Sequence, residues 1–221
     1  MNYLISFFRS KLDLSNIGLQ RGEKESCYFC TPVGAKVIGW AGVDGIHFCT
    51  VKGFGELIFA VNPTYDPGHY VHPVARNFED FLRLILACHD TAAIEQCWFM
   101  DREVFDEFLE TNPPTEEMQA CLNAIEKKYK LTPMEDPFAY MHQLQEEFDY
   151  DALVYPPEYY EIVDVPSERQ PPEWRVAAVG QRSKVSALQG ISEEERASKY
   201  PSMEEAMPEI YKELDGPYRR L

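Results

Sequence analysis

The side chains that could do chemistry include a Cys-x-x-Cys motif, formed by Cys27 and Cys30. Such a motif can ligate zinc or cycle between dithiol and disulfide. Zinc would need a second ligand pair, and the nearest candidates are His47 and Cys49, which can point to one face of a strand because they are two residues apart. Redox motifs follow a strand and open a helix, whereas residues 31–34 have the composition of a turn. We therefore expect buried structural cysteines, with a zinc site or a thiol-redox centre as the alternatives.

Two histidine-containing groups complete the set of chemically capable side chains. In an extended segment, a spacing of three puts His69 and His72 on opposite faces, so we expect loop polar residues rather than a pair of metal ligands. Cys88, His89 and Asp90 have the side-chain types of a nucleophilic system, but such triads are assembled from distant segments. We expect His89 to lie at the end of a helix. The sequence therefore predicts no catalytic residue and no cofactor, and it indicates a protein without enzymatic activity.

Charge is the strongest compositional feature of the 221 residues, with a formal net charge of −16. Residues 101–170 carry 18 acidic and 5 basic side chains, a net charge of −13. A field of this sign repels nucleic acids and anionic membranes, and it speeds the encounter with a basic protein partner. Simple solubility is the other interpretation. No apolar run approaches the ~18 residues of a spanning helix, and the six cysteines lie mostly in apolar stretches, so we expect a cytoplasmic location.

The elements that must position these groups begin with a β-meander over residues 35–75. Residues 35–40, 46–51 and 57–61 are rich in strand-forming side chains, and the Asp44-Gly45 dipeptide between the first two favours a tight hairpin turn. A turn-rich segment then leads to a last short strand near residues 69–74. Turn signals at such regular spacing are typical of antiparallel strands.

The hydrophobic period then changes to that of helices. Asn77 is a suitable N-cap, and it precedes an apolar stripe that contains Phe78, Phe81, Leu82, Ile85 and Leu86. Further caps are predicted at Thr91, for a short helix through Cys97, and at Asp101 and Asp136, while Thr115 is predicted to start a helix that runs to about Lys130. The helix after Asp101 is expected to bury Val104, Phe105, Phe108 and Leu109.

These patterns predict an α+β fold, with an antiparallel or mixed β-meander sheet flanked by helices. Residues 1–182 are expected to form one domain, β-rich over 27–75 and helical over 77–150. Further strands are predicted at about 155–180, namely Tyr160 to Val165 and Trp174 to Val179. Residues 183–221 are expected to form a polar helical tail.

The stretch from Val37 to Leu86 resembles the C-terminal half of the SUKH superfamily, which includes Smi/Knr-like cell-wall regulators and many bacterial immunity proteins. The likeness lies in the order of parts: a hairpin over 40–46, a strand ending in a polar loop over 57–63, a short strand over 70–75, and a helix that opens with the segment 76–82. The initial helix and Leu-Pro usual in such families are not evident in residues 1–34. The resemblance implies a non-enzymatic protein-binding module, such as an immunity protein or a regulator.

The expected binding surface combines acidic helices with exposed aromatic side chains. The predicted residues are Trp98, Phe99, Asp106, Glu110, Tyr155, Tyr159 and Tyr160. Because the acidic half of the chain carries most of the charge, we expect a basic protein as the partner.

Overall fold

The computed structural model describes residues 3–10, 12–21 and 28–163. The chain divides into two compact units. Of the described residues, the larger unit comprises 3–10, 12–21, 28–31 and 35–152, and the smaller one comprises 32–34 and 153–163. This boundary falls inside the range 1–182 that the sequence analysis treats as one domain.

The sheet of the larger unit is an antiparallel meander of four strands in the order β1-β2-β3-β4. The strands are β1 (Ala35–Trp40), β2 (His47–Val51), β3 (Ile58–Val61) and β4 (Val71–Ala75). Asp44 and Gly45 both have positive φ, at 51° and 72°, as the turn that joins β1 to β2 requires. The predicted α+β class and the meander over residues 35–75 are confirmed.

Helix α2 (Phe78–Cys88) covers the sheet and carries much of the core. The side chain of Asn77 accepts a hydrogen bond from the backbone N–H of Asp80 (2.9 Å) and so caps the helix as predicted. Phe81 is fully buried, and its ring lies 5.1 Å from that of Phe48 on β2. This pair joins the helix to the sheet through apolar contact.

The remaining helices of the larger unit are short, and three of them are capped by the polar side chain before them. Asp101 and Asp136 each accept a hydrogen bond from a backbone N–H in the first turn of the following helix, which confirms these two predicted caps. Thr91 forms no such side-chain hydrogen bond, so that predicted cap is wrong. The helix predicted from Thr115 is present, and Thr115 caps it. The helices are α1 (Tyr3–Phe8), α3 (Ala92–Gln96), α4 (Arg102–Thr111), α5 (Glu116–Tyr129) and α6 (Pro137–Glu146), with 3₁₀ turns at Ser15–Ile17, Cys97–Phe99 and Tyr150–Ala152.

One predicted core position on α4 is wrong. Phe105 is buried, and Phe108 and Leu109 are half-buried, but Val104 is 47% exposed. The reason is geometric: Val104 lies about 100° around the helix from its neighbour Phe105, and a short amphipathic helix buries only one stripe.

The smaller unit contains helix α7 (Pro157–Ile162), where the sequence analysis predicted a strand from Tyr160. That prediction is wrong for residues 160–162. Pro157 stands in the first turn, where the missing N–H of proline costs no intrahelical hydrogen bond. The rest of the predicted 155–180 strands and the tail at 183–221 lie outside the described residues.

No helix within the described ranges is both long enough and apolar enough to cross a bilayer.

We predict that Phe81→Ala lowers the free energy of unfolding by about 3–5 kcal/mol, because it leaves a cavity between α2 and β2. Chemical denaturation of the full chain measures this loss. Phe81→Leu is the control and should cost less, because it keeps most of the buried volume. Equal stabilities for the wild type and Phe81→Ala would contradict the assigned core contact.

Candidate functional site

Three of the four predicted metal candidates, Cys30, His47 and Cys49, are buried, and Cys27 lies outside the described residues. Burial raises the pKa of the Cys30 thiol to about 12. The thiol therefore keeps its proton at neutral pH, whereas the thiolate is the form that binds zinc or attacks a disulfide. Within residues 3–10, 12–21 and 28–163, no three His, Cys, Asp or Glu side chains form a group that could hold a metal ion. The surroundings of Cys30 thus favour a packing role.

His47 has both ring nitrogens engaged inside the larger unit. Its Nδ1 lies 2.8 Å from the carbonyl oxygen of Gly45, which can only accept, so Nδ1 carries the proton. Nε2 then accepts a hydrogen bond from the hydroxyl of Thr31 (3.2 Å). Desolvation lowers the pKa of His47, which keeps the ring neutral. His47 therefore stabilises the hairpin turn, and both of its ring nitrogens are already hydrogen-bonded rather than available to a metal.

The prediction that His69 and His72 point to opposite faces is wrong. Their rings are nearly parallel, with an interplanar angle of 14° and centroids 6.4 Å apart. The two-residue period of a strand does not apply, because His69 precedes β4 and closes a turn in which its N–H donates to the carbonyl of Asp66 (3.0 Å). Both rings lie against Trp98, with centroid distances of 4.9 Å for His69 and 4.0 Å for His72.

His72 is a buried, neutral histidine. Its Nε2–H donates to the carbonyl oxygen of His69 (2.9 Å), and its Nδ1 accepts from the hydroxyl of Tyr150 (3.1 Å). Desolvation lowers the pKa of His72 to about 4. With both nitrogens used and the ring against Trp98, His72 supports the aromatic cluster and is not available as a metal ligand.

The Cys88-His89-Asp90 group does not assemble into a nucleophilic system. His89 ends α2 in the left-handed conformation, at φ 71°. The Asp90 carboxylate accepts a hydrogen bond from the N–H of Ala92 at the start of α3 (2.8 Å). Burial raises the pKa of Cys88 well above that of an ordinary thiol, so its sulfur stays protonated. These residues form the connection between two helices.

The 3₁₀ turn at Cys97–Phe99 divides its two aromatic side chains between the interior and the surface. Trp98 is half-buried against His72, whereas Phe99 is 57% exposed. The ring of Phe99 meets that of Tyr65 edge to face, with centroids 5.5 Å apart. Phe99 is therefore held at its edge by the β3–β4 loop, while much of its surface faces solvent.

A buried carboxylate lies behind this aromatic pair. Glu95 on α3 is only 5% exposed, and it accepts a hydrogen bond from the side-chain amide of Asn62 (2.8 Å). The hydroxyl of Tyr65 lies beside the same carboxylate and beside Asn62, in a geometry that forms no regular hydrogen bond. Desolvation raises the pKa of Glu95.

Helix α4 presents an acidic face. Its carboxylates follow the spacing i, i+3, i+4, i+7, which places them on one side of the helix; they are Glu103, Asp106, Glu107 and Glu110, and all are exposed. Arg102 contacts Asp106 only at 3.9 Å, because its guanidinium forms a bidentate pair with Asp136 (2.7 and 2.8 Å). Only Met100 and Asp101 separate this helix from Phe99. We call Phe99 together with these four carboxylates the Phe99 surface.

Of the predicted partner-binding residues, Phe99, Asp106 and Glu110 are exposed in the larger unit. The expected exposure of Tyr159 and Tyr160 is wrong, since both are at least nine-tenths buried. They pack with Tyr155, whose ring is stacked on that of Tyr159 at 4.0 Å. The three tyrosines form the aromatic core of α7, because the helix turns their rings onto one another.

Sequence reasoning missed the polar residues behind the surface: Asn62, Tyr65, Glu95 and Tyr150. One signal for Glu95 is present in the sequence, because it follows the buried Ala93 and Ile94 and precedes the buried Cys97. An acidic side chain inside an apolar segment indicates burial or pairing. The hydrogen bond between His72 and Tyr150 spans 78 residues and has no local signature.

Comparison of the chain with protein-family models, with curated proteins and with solved structures gives no match.

We predict that the His72 ring titrates with a pKa of about 4 in NMR spectra recorded against pH, because burial disfavours its charged form. Unfolding raises this pKa towards 6.5, so His72 contributes stability above pH 6.5 that is lost as the pH falls towards 4. The full contribution is about 3 kcal/mol. In His72→Gln, the free energy of unfolding should change less between pH 6.5 and pH 4. The same variant identifies the His72 signal in the NMR spectrum, because that signal disappears. A His72 midpoint near the ordinary value for histidine would contradict the buried, neutral state.

Proposed function

We propose that this chain is a non-enzymatic protein-binding module that associates stoichiometrically with a basic partner protein through the Phe99 surface. The observation that carries the proposal is the exposure of Phe99 beside the acidic face of α4. Phe99 is 57% exposed although its neighbour Trp98 is anchored in the larger unit. Burying an aromatic ring against a partner contributes roughly 1.5–3 kcal/mol.

The charges around Phe99 favour a partner of opposite sign. Because Arg102 is engaged with Asp136, three of the four α4 carboxylates have no ion pair within the described part of the chain. Such a face steers a basic protein into contact and confers salt-sensitive association. An exposed aromatic side chain followed directly in the chain by an acidic helix offers a partner both an apolar anchor and charge of one sign.

The SUKH-like character remains part of this proposal. Its support is the order of elements: a hairpin, β3, β4 and then α2 capped by Asn77, the same order that carries the resemblance in the sequence. An immunity protein or a regulator would both act by binding of this kind. We also propose a cytoplasmic location, which agrees with free, buried thiols at Cys30, Cys88, Cys97 and Cys121.

The test is affinity capture from cells of the source organism with the full chain as bait, comparing the wild type, Phe99→Ala and Val43→Ala. Val43 is the matched control, since it is 59% exposed but belongs to the turn beside β1, at the opposite edge of the sheet from β4. We expect a basic protein that is retained by the wild type and by Val43→Ala. Its affinity for Phe99→Ala should be at least about tenfold lower, as expected for loss of a central aromatic anchor.

Salt and charge variants complete this test. The affinity of the captured protein, measured by calorimetry after its purification, should fall as ionic strength rises, and also in the variant Asp106→Asn/Glu110→Gln. Retention that is equal for wild type and Phe99→Ala, or an affinity independent of salt, would overturn the proposal.

A further inference from the structure

Glu95 and Asn62 connect the interior of the larger unit to the turn beneath Phe99. The amide nitrogen of Asn62 donates to a carboxylate oxygen of Glu95 (2.8 Å). The amide oxygen of the same Asn62 accepts from the backbone N–H and from the hydroxyl of Thr64, at 2.9 and 2.7 Å. Tyr65 follows directly and supports the edge of Phe99. The carboxylate thus orients the amide that shapes the turn on which Phe99 rests.

This carboxylate is buried without a compensating cation. Among the described residues, no Lys, Arg or His forms an ion pair with Glu95. The titratable group that faces Glu95 is Tyr65 from the β3–β4 loop, and its other polar neighbour is Asn62 at the end of β3. Within the same described part of the chain, no charged side chain of β4, α2, α3 or α4 shifts the pKa of Glu95. A buried, ionised carboxylate in such surroundings is costly, and water or proton uptake relieves the cost.

The turn that contains Asn62, Thr64 and Tyr65 has room to move away from Glu95, because its outer side faces solvent. Thr64 and residues 66–69 are exposed, and the space beside Gly68 holds no heavy atom within 4 Å of the point where a side chain would begin. Moving the turn outward would let water reach Glu95. The same movement would withdraw Tyr65 from the edge of Phe99.

We propose that the protonation state of Glu95 controls whether the turn at residues 62–65 stays packed beneath Phe99, and thereby tunes the affinity of the Phe99 surface. The effect on affinity rests on the proposed function, whereas the effect of Glu95 on the turn does not. Protonated Glu95 keeps its hydrogen bond from Asn62 and carries no buried charge, so the packed turn is favoured. Ionised Glu95 favours the open, hydrated turn.

The direction of the pH dependence follows from the environment of the carboxyl group. Desolvation raises the pKa of Glu95 above 4.5, the ordinary value for glutamate. An acid with a raised pKa stabilises the packed state fully below its ordinary pKa, and this stabilisation is lost as the pH rises through the pKa of the packed state. The turn should therefore loosen on the alkaline side of that midpoint.

The first experiment is an NMR titration of the ¹⁵N-labelled full chain from about pH 4.5 to about pH 8, following the Thr64 backbone N–H and the Asn62 side-chain amide. In the wild type we expect both signals to titrate with one midpoint above 4.5 and to exchange faster with water above it. Glu95→Gln, which keeps the acceptor but cannot ionise, should hold both signals at their acidic positions. Glu107→Gln, at an exposed position, is the matched control and should behave as the wild type does. Wild-type signals that do not titrate, or a Glu95→Gln variant that titrates as the wild type does, would overturn the inference.

The second experiment measures the affinity of the captured basic protein for the wild type and Glu95→Gln over the same range. We expect the wild-type affinity to fall by about fivefold or more across the midpoint, a usual size for coupling between sites, while the affinity of Glu95→Gln changes less. If the turn titrates but no partner depends on Phe99, the proposed function is wrong and the inference about the turn stands. If a partner depends on Phe99 but the turn does not titrate, this inference is wrong and the proposed function stands.

Discussion

The stack of Trp98 on His72 is the contact on which the arrangement of the Phe99 surface depends. The two rings lie 4.0 Å apart at an angle of 11°, and His72 is itself fixed by the Tyr150 hydroxyl and by the carbonyl of His69. Because Trp98 is held against β4, the adjacent residue Phe99 has to leave the interior. Asp101 can then cap α4 and start its acidic face. The 3₁₀ turn thus gives its two neighbouring rings different environments, with Trp98 half-buried and Phe99 exposed.

The β-meander supplies β4, on which His72 and, through it, Trp98 are held. The two histidines on its strands, His47 and His72, have both ring nitrogens engaged in hydrogen bonds. Burial keeps Cys30 protonated. The helices carry most of the negative charge, and they pack against the sheet. The hydrogen bonds of these two histidines help hold the fold together, whereas Glu103, Glu107 and Glu110 of the Phe99 surface form no ion pair within the described residues.

Local patterns in the sequence predict much of the fold but little of the site. The strands of the meander, the cap at Asn77 and the caps at Asp101 and Asp136 were predictable because each depends on neighbours in sequence. The sequence predicts a strand from Tyr160, because aromatic and β-branched residues favour strands, but residues 160–162 belong to α7. Pro157 in the first turn of that helix is the local signal for the helical start. The contacts of Glu95 with Asn62 and of His72 with Tyr150 join residues 33 and 78 positions apart. Only the tertiary packing brings such pairs together.

The most direct test of this account compares the unfolding free energies of Trp98→Ala and Phe99→Ala in the full chain. If Trp98 anchors the turn and Phe99 serves binding, Trp98→Ala should lose about 3 kcal/mol, as large aromatic truncations in packed sites do. Phe99→Ala should stay within about 0.5 kcal/mol of the wild type, as surface substitutions usually do. Equal losses for the two variants, or a larger loss for Phe99→Ala, would show that Phe99 is a structural residue and would contradict the account.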